Sequence, residues 1–208
     1  MLAGTNGAGK SSVAGAFLRQ HGGTFFNPDE VAREIAAKLP SPEVREANSL
    51  AWNQGKRLLE RAIETGRDFN FESTLGGKTI TRLLQRAIDQ GIDVVVWYVA
   101  LASPELHLER IRARVAEGGH DIPEAEVRKR YDTSRLNLID LMLGLAALRV
   151  YDNSKHADIA NGGAPAPQLV LEMERGKITD HCELATATTW AKPILAAAFT
   201  INPAATRR

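Results

Sequence analysis

The chain has 208 residues, 44% hydrophobic and 25% charged, with a formal net charge of +1, a balance that suits one soluble domain around one core and requires neither nucleic acid nor a membrane surface as partner. Its single cysteine, Cys182, excludes an internal disulfide and suits a reducing compartment. The longest apolar stretches, Ile139 to Leu148 and Pro193 to Ile201, are too short to span a bilayer, and no signal or transit pattern opens the chain, so the expected location is the cytoplasm.

In chain order, Leu2-Ala3 reads as the end of a strand, a very short one, as expected if the natural chain starts upstream of Met1. Gly4-Thr5-Asn6-Gly7-Ala8-Gly9-Lys10-Ser11 follows, a full match to G-x-x-x-x-G-K-[ST]. The chemistry of this octet is phosphate binding. Its glycines let successive backbone N–H groups turn inward around a β-phosphate at the start of a helix. Lys10 is expected to bridge the β- and γ-phosphates and the Ser11 hydroxyl to bind Mg²⁺, with Ser12 also at the nucleotide. Ser11 to Gln20 reads as the helix, with Val13, Ala14, Phe17 and Leu18 on its apolar face.

Thr24-Phe25-Phe26 is a second strand ending at Asn27-Pro28-Asp29, and Asp29 to Leu39 is helical. Behind Pro40, a long helix from Ser41 to Thr65 turns Leu50, Leu58, Leu59, Ala62 and Ile63 to the core. Asp68 to Glu72 is a third strand, Lys78 to Gln90 a helix, and Asp93 to Ala100, the run richest in β-branched and aromatic residues, a central strand. Ser103 to Glu117 and Pro123 to Ala147 are two helices separated by Gly118-Gly119-His120-Asp121; Arg149 to Tyr151 is a fifth strand. After a Gly/Ala/Pro-rich loop at Asn161 to Pro167, Leu169 to Glu174 and Lys177 to Thr179 form a hairpin around Arg175-Gly176, before a last helix around Trp190. Strands alternating with helices predict a mainly parallel sheet with helices on both faces.

In such a sheet the ligand lies beyond the carboxyl ends of the strands. Asp29 follows the second strand, Glu72, Ser73 and Thr74 the third, and Asp152, Asn153 and Ser154 the fifth, so three strand ends bring polar groups to the phosphate loop. Each residue also has a plainer role open to it: Asp29 can cap its helix, and the Ser, Thr and Asn residues can close turns. A second constellation is cationic. Arg110, Arg112 and Arg114 lie on the first helix of the 103–147 hairpin and Arg128, Arg130 and Arg135 on the second, with a Gly-Gly hinge between. Arg110 and Arg114 share a face. Closing over a nucleotide, such a lid would place cations on the γ-phosphoryl oxygens and exclude water; interspersed with Glu109, Glu117, Glu124 and Glu126, the same arginines also fit a solvated, salt-bridged surface.

GTNGAGKSS, FNPDEVA, FNFESTL, ERIRARVAEGGHDIPEAEVRKRY with SRLNL after it, and YDNS, in this order and spacing over about residues 1 to 180, resemble the zeta-toxin family of P-loop kinases. The resemblance implies an ATP- and Mg²⁺-dependent small-molecule kinase acting on the 3′-hydroxyl of the amino sugar of UDP-N-acetylglucosamine, restrained in paired systems by an epsilon-type antitoxin. It carries the role of hydroxyl-activating carboxylate to Asp29, and the E-x-T pair that holds the sugar nucleotide to Glu72 and Thr74. Where the founding toxins have an arginine shortly before a proline, this chain has His120-Asp121-Ile122-Pro123, which leaves Arg128 and Arg130 as the nearest candidates for that cation. The expected fold is therefore α/β: a single P-loop kinase domain over 1–208, a three-layer sandwich with a mainly parallel central sheet, a helical lid at about 103–147, and a C-terminal β-hairpin and helix at about 168–200.

From the residues themselves, Lys10, Asp29, Arg114 and Arg128 are the expected catalytic groups, with Arg110, Arg130 and Asn153 beside the nucleotide. Glu72 could hold Mg²⁺ through water or touch the substrate, and Arg45, Lys56 and Arg57 are available to a substrate diphosphate. A kinase for another sugar, nucleoside or antibiotic, or a nucleotide-dependent regulatory module, would use the same loop.

Overall fold

The sheet is organised around its shortest strand. β1 (Leu2–Ala3) lies between two parallel neighbours, pairing Leu2 with Glu72 of β2 (Glu72–Ser73) on one side and with Trp97 of β3 (Val95–Ala100) on the other. The computed structural model describes residues 1–11, 13, 25–38, 44–119, 121–155 and 167–203. Ser12 and residues 14–20 of the helix expected over Ser11 to Gln20, the layer it would supply, Thr24, residues 41–43 at the start of the expected long helix, His120, the side chain of Arg45 and residues 161–166 of the expected loop lie outside the described residues.

Six strands run in the order β2-β1-β3-β4-β5-β6. β3 and β4 (Ala147–Asp152) pair in parallel along their whole length, from Val95 opposite Ala147 to Ala100 opposite Asp152. β5 (Gln168–Glu174) and β6 (Lys177–His181) continue the sheet antiparallel as the expected hairpin. Phe26 adds an isolated parallel bridge to Phe71 outside β2, so the second strand is one bridge long. The third is shorter than expected and displaced towards its carboxyl end, because β1 offers it only two residues to pair with.

The helices are α1 (Pro28–Lys38), α2 (Val44–Thr65), α3 (Lys78–Asp89), α4 (Pro104–Ala116), α5 (Glu124–Leu141) and α6 (Lys192–Ile201). Val96 and Tyr98 of β3 and Leu148 and Val150 of β4 share one core with Leu84 of α3, Leu138 of α5 and Ile194 of α6. Two expectations change. The helix that begins after Pro123 stops at Leu141, then a 3₁₀ turn at Met142–Gly144 gives way to β4. Gly144 is packed so closely that a Cβ there would lie 2.5 Å from the Ile88 side chain, and Ala146 N–H donates to Val94 O at 2.9 Å, so the chain is already extended where helix was expected. On α2, Leu59 and Ile63 are buried but Leu50 and Leu58 are exposed, at 43% and 38%. Ala47 and Ala51, with small side chains that allow close approach, pack on Ala32 of α1 and rotate the buried stripe away from the leucines. The last helix starts beyond Trp190, whose buried indole donates to Asp152 at 3.1 Å.

The lid arms α4 and α5 meet through a cluster of their own, Leu108, Ile111, Ile122 and Val127. Gly118, at φ 90°, ends α4, its N–H bonded to Val115 O at 3.0 Å. No helix among the described residues is long and apolar enough to cross a membrane.

Candidate active site

The phosphate loop is shaped by glycine and then braced from three elements. Gly4 and Gly9 sit at φ 135° and 84°, where a Cβ would lie 2.0 Å from Val99 O and 2.5 Å from Asn153 Nδ2, so only glycine fits. Asn153, past the end of β4, donates its side-chain amide to Ala8 O at 2.9 Å. From α4, His107 Nδ1 lies 2.7 Å from Asn6 O, a contact only an Nδ1–H can make favourably. From α5, Arg130 Nη1 donates to Asn6 Oδ1 at 2.9 Å and Arg130 O accepts from Thr5 Oγ1 at 3.3 Å. Burial holds the His107 pKa down to about 4, despite the opposing effect of the Asn6 carbonyl, so the ring is neutral at physiological pH. Sequence patterning gave no sign of His107, which reads as one more residue on the buried face of α4.

Lys10 and Ser11 converge on one partner. Lys10 Nζ, nearly buried, donates to Thr5 O at 3.4 Å and lies 3.4 Å from Glu72 Oε1, while Ser11 Oγ donates to Glu72 Oε2 at 2.8 Å. A short parallel strand beside β1 thus delivers its carboxylate to the end of the phosphate loop. Two oxygens from separate elements suit a hard cation that keeps waters and phosphate oxygens in its remaining positions. An all-protein cage is not formed, since no group of three acidic, His or Cys residues among those described could hold a metal.

A cleft of about 510 Å³ opens from Lys10 and Glu72 past Thr74 and Asp29 to Phe26 and Trp52. Asp29 reaches it because another residue caps its helix. Asn27 Oδ1 accepts from Asp29 N–H at 2.9 Å, with Pro28 in the first helical position. The Asp29 carboxylate, 37% exposed, lies 3.9 Å from Arg114 Nη1 across the mouth. Thr74 lines the same space, its Oγ1 accepting from Gly76 N–H at 3.4 Å.

The lid arginines part company. Arg130 lines the cleft and Arg114 faces Asp29. Arg110 Nη2 donates to Asn153 O at 2.7 Å, beside the loop. Arg128 is turned aside, donating to Glu124 and to Glu105 at 2.7 Å each. Arg135 lies over the Tyr131 ring and pairs with Asp132. Asp152, grouped with the strand-end polar residues, is a buried latch whose carboxylate accepts from Thr188, Trp190 and Ser154. Of the cations on the long helix, Lys56 lines the cleft and Arg57 does not.

Residues 1–134 match the family described as AAA domain. The chain belongs to that family. A relative, an uncharacterized protein of Haemophilus influenzae, is 34% identical over 128 residues, 62% of this chain and 88% of its own length. Among solved structures, AvrRxo1-ORF1:-ORF2 with ATP superposes with a TM-score of 0.65 at 17% identity, covering 95% of this chain, which in turn spans 62% of that one. A chain of the PezAT chromosomal toxin–antitoxin system of Streptococcus pneumoniae superposes with a TM-score of 0.57 at 14% identity, covering 97% and 83%. This AAA-domain chain therefore has the α/β P-loop kinase-like fold, and it shares that fold with chains of these two assemblies.

Proposed function

We propose that the protein is an ATP-dependent kinase that transfers the γ-phosphate to a sugar hydroxyl, with the 3′-hydroxyl of the amino sugar of UDP-N-acetylglucosamine as acceptor. The observation that carries this reading is the position of Asp29. Relieved of capping by Asn27, it shares one cleft with the phosphate-loop lysine. A regulatory module has no need of an exposed carboxylate there. In the transfer, the acceptor oxygen forms a bond to the γ-phosphorus as the bond from that phosphorus to the bridging oxygen of ADP breaks, and the hydroxyl proton passes to Asp29. A largely dissociative transition state asks of Asp29 mainly orientation. Its carboxylate needs no unusual basicity.

Lys10 neutralises the phosphates from inside the loop, and Arg130, tethered to Asn6, together with Arg114 stands ready over the transferring group. Mg²⁺, held by Ser11 and by Glu72 directly or through water, would supply charge neutralisation between the β- and γ-phosphates. The closeness of Glu72 to Ser11 favours this role over direct substrate contact and leaves Thr74 as the acceptor contact. Lys56 is the cation placed for a diphosphate. The named assemblies of the two structural relatives support a protein partner, an epsilon-type antitoxin, for this chain as well.

Incubation with ATP, Mg²⁺ and UDP-N-acetylglucosamine should give a singly phosphorylated sugar nucleotide, located by ³¹P and ¹H NMR on the 3′-oxygen of the amino sugar. If that compound is left untouched while another sugar, nucleoside or antibiotic in the same panel is phosphorylated, the acceptor is reassigned and the roles of Lys10 and Asp29 stand. Consumption of ATP with no acceptor in the panel modified would move the protein to the nucleotide-dependent regulatory class.

A further inference from the structure

The turn that carries Thr74 is strained and held by unusual means. Leu75 is fully buried yet adopts φ 52°, a left-handed conformation costly for a bulky side chain unless its surroundings enforce it. Three successive carbonyls of this turn face polar side chains of one helix, the Thr133 hydroxyl being shared between Gly76 O and Lys129 O. Ser134 Oγ donates to Thr74 O at 2.7 Å, Asn137 Nδ2 to Leu75 O at 2.7 Å, and Thr133 Oγ1 lies 3.0 Å from Gly76 O. Ser134 and Asn137 are buried and themselves anchored, Ser134 Oγ accepting from Tyr98 OH at 3.1 Å and Asn137 Oδ1 from Lys78 Nζ at 2.9 Å. One turn earlier on the same stripe of α5 stands Arg130, bonded to Asn6 and Thr5 of the phosphate loop.

We propose that this polar stripe of α5 is a registration strut and that Ser134 and Asn137 are positioning residues. They touch neither nucleotide nor acceptor, and they fix the Thr74–Gly76 turn at a set distance from the phosphate loop. This deepens the kinase reading and rests on it for its functional meaning. A hydrophobic contact would bury this face of α5 equally well, but it would not dictate the conformation of the turn. The two directed hydrogen bonds to Thr74 O and Leu75 O, with Thr133 Oγ1 beside Gly76 O, do. In-line transfer needs the acceptor oxygen held against the γ-phosphorus, where a displacement of about 1 Å costs on the order of 10²-fold in rate, so the strut acts on turnover and leaves nucleotide binding alone.

The test compares Asn137→Leu, which keeps side-chain volume and removes the donor, and Asn137→Asp, which near pH 8 keeps the Lys78 contact but presents a carboxylate to the Leu75 carbonyl. Lys78→Met, which removes the other partner of Asn137 together with an exposed ion pair to Asp140, is the control. Amide hydrogen exchange at Leu75 and Gly76 should rise roughly 10-fold in both Asn137 variants, the scale expected from one buried acceptor left unpaired. Exchange in β3 and β4 and the affinity for a non-hydrolysable ATP analogue should stay within about twofold, and transfer to UDP-N-acetylglucosamine should fall about 10- to 10²-fold. Lys78→Met should match the parent protein in all four. Unchanged exchange at residues 75 and 76, exchange rising equally through β3 and β4, or ATP-analogue affinity falling in step with turnover would each overturn the strut. If the parent protein transfers nothing to UDP-N-acetylglucosamine, the acceptor assignment fails by itself, and the local exchange pattern still decides whether α5 holds the turn.

Discussion

The two halves of the cleft are built differently. On the nucleotide side Thr5, Asn6, Lys10, His107 and Asn153 are all buried, and the loop's shape is fixed by backbone carbonyls bonded to braces from α4 and from the end of β4. On the acceptor side Asp29 is 37% and Trp52 44% exposed, and the cleft is open to solvent between them. Under the proposed function, the difference follows from what each half would bind. Phosphate groups are the same on every nucleotide and reward a preorganised cradle of N–H groups, whereas an acceptor must enter, present one hydroxyl and leave.

The comparison breaks most visibly if its two central charges behave alike. Lys10→Ala should abolish ATP affinity and lower transfer by on the order of 10³-fold, because it removes a cation from a preorganised site, and leave the far-ultraviolet circular dichroism unchanged. Asp29→Asn should keep ATP affinity within a few-fold and lose about 10²-fold in turnover, the scale of a positioned proton acceptor. Isothermal titration with an ATP analogue, run beside turnover measurements, separates them. A parallel fall in binding and turnover for Asp29→Asn would make it part of the nucleotide half.

His107 sharpens the contrast, since its neutral ring belongs to the rigid half alone. With its pKa held near 4 in the fold against an ordinary 6.5, it is neutral in the fold and mostly neutral in the unfolded chain at pH 7, so it contributes little pH dependence there. As pH falls below 6.5 the unfolded chain takes up a proton that the folded chain refuses, so stability drops, by about 2 kcal/mol between pH 7 and pH 5, and levels off below the folded pKa. His107→Leu should lack this component while raising the Michaelis constant for ATP through the unpaired Asn6 carbonyl. Urea midpoints at the two pH values measure it. Identical pH slopes for parent and variant would show that the ring is not held neutral.

How much of this could be read from residues alone divides along the same line. The phosphate loop is local: eight consecutive residues, a strand before and a helix start after, and the chemistry follows from spacing. Asn27-Pro28-Asp29 was equally legible as a strand end before a helix; what spacing left open was whether Asp29 only caps that helix, and the hydrogen bond from Asp29 N–H to Asn27 Oδ1 gives the cap to Asn27. Glu72 meeting Ser11, 61 positions away in sequence, depends on the two-residue parallel register of β1 and β2, which periodicity does not encode. The inward stripe of Ser134 and Asn137 looks in sequence like a solvated face, because polar residues on a helix normally face water. Only their pairing with carbonyls of the turn at 74–76 explains why they are buried. Leu50 and Leu58 failed in the opposite sense, exposed because their neighbours Ala51, which packs on α1, and Leu59, in the main core, take the buried positions.

The smallest expected effect lies on the lid, where the sequence offers two arginines two positions apart and the structure treats them oppositely. Arg130 turns inward, its guanidinium on Asn6 Oδ1 and Glu126, so its charge faces the place where the γ-phosphoryl group would stand. Arg128, 46% exposed, is divided between Glu105 at the start of α4 and Glu124 at the start of α5. Exposed pairs of this kind contribute little that is measurable. Arg130→Ala should therefore lower turnover more than it weakens ground-state ATP binding, by about 10-fold or more if the charge acts on the transition state, whereas Arg128→Ala should leave both within about twofold. Should Arg128→Ala instead cost as much turnover as Arg130→Ala, the Glu105–Arg128–Glu124 contact would have to open when ATP binds, bringing Arg128 over the phosphates and making the lid, with Gly118 and Gly119 at its bend, the mobile part of an otherwise fixed nucleotide half.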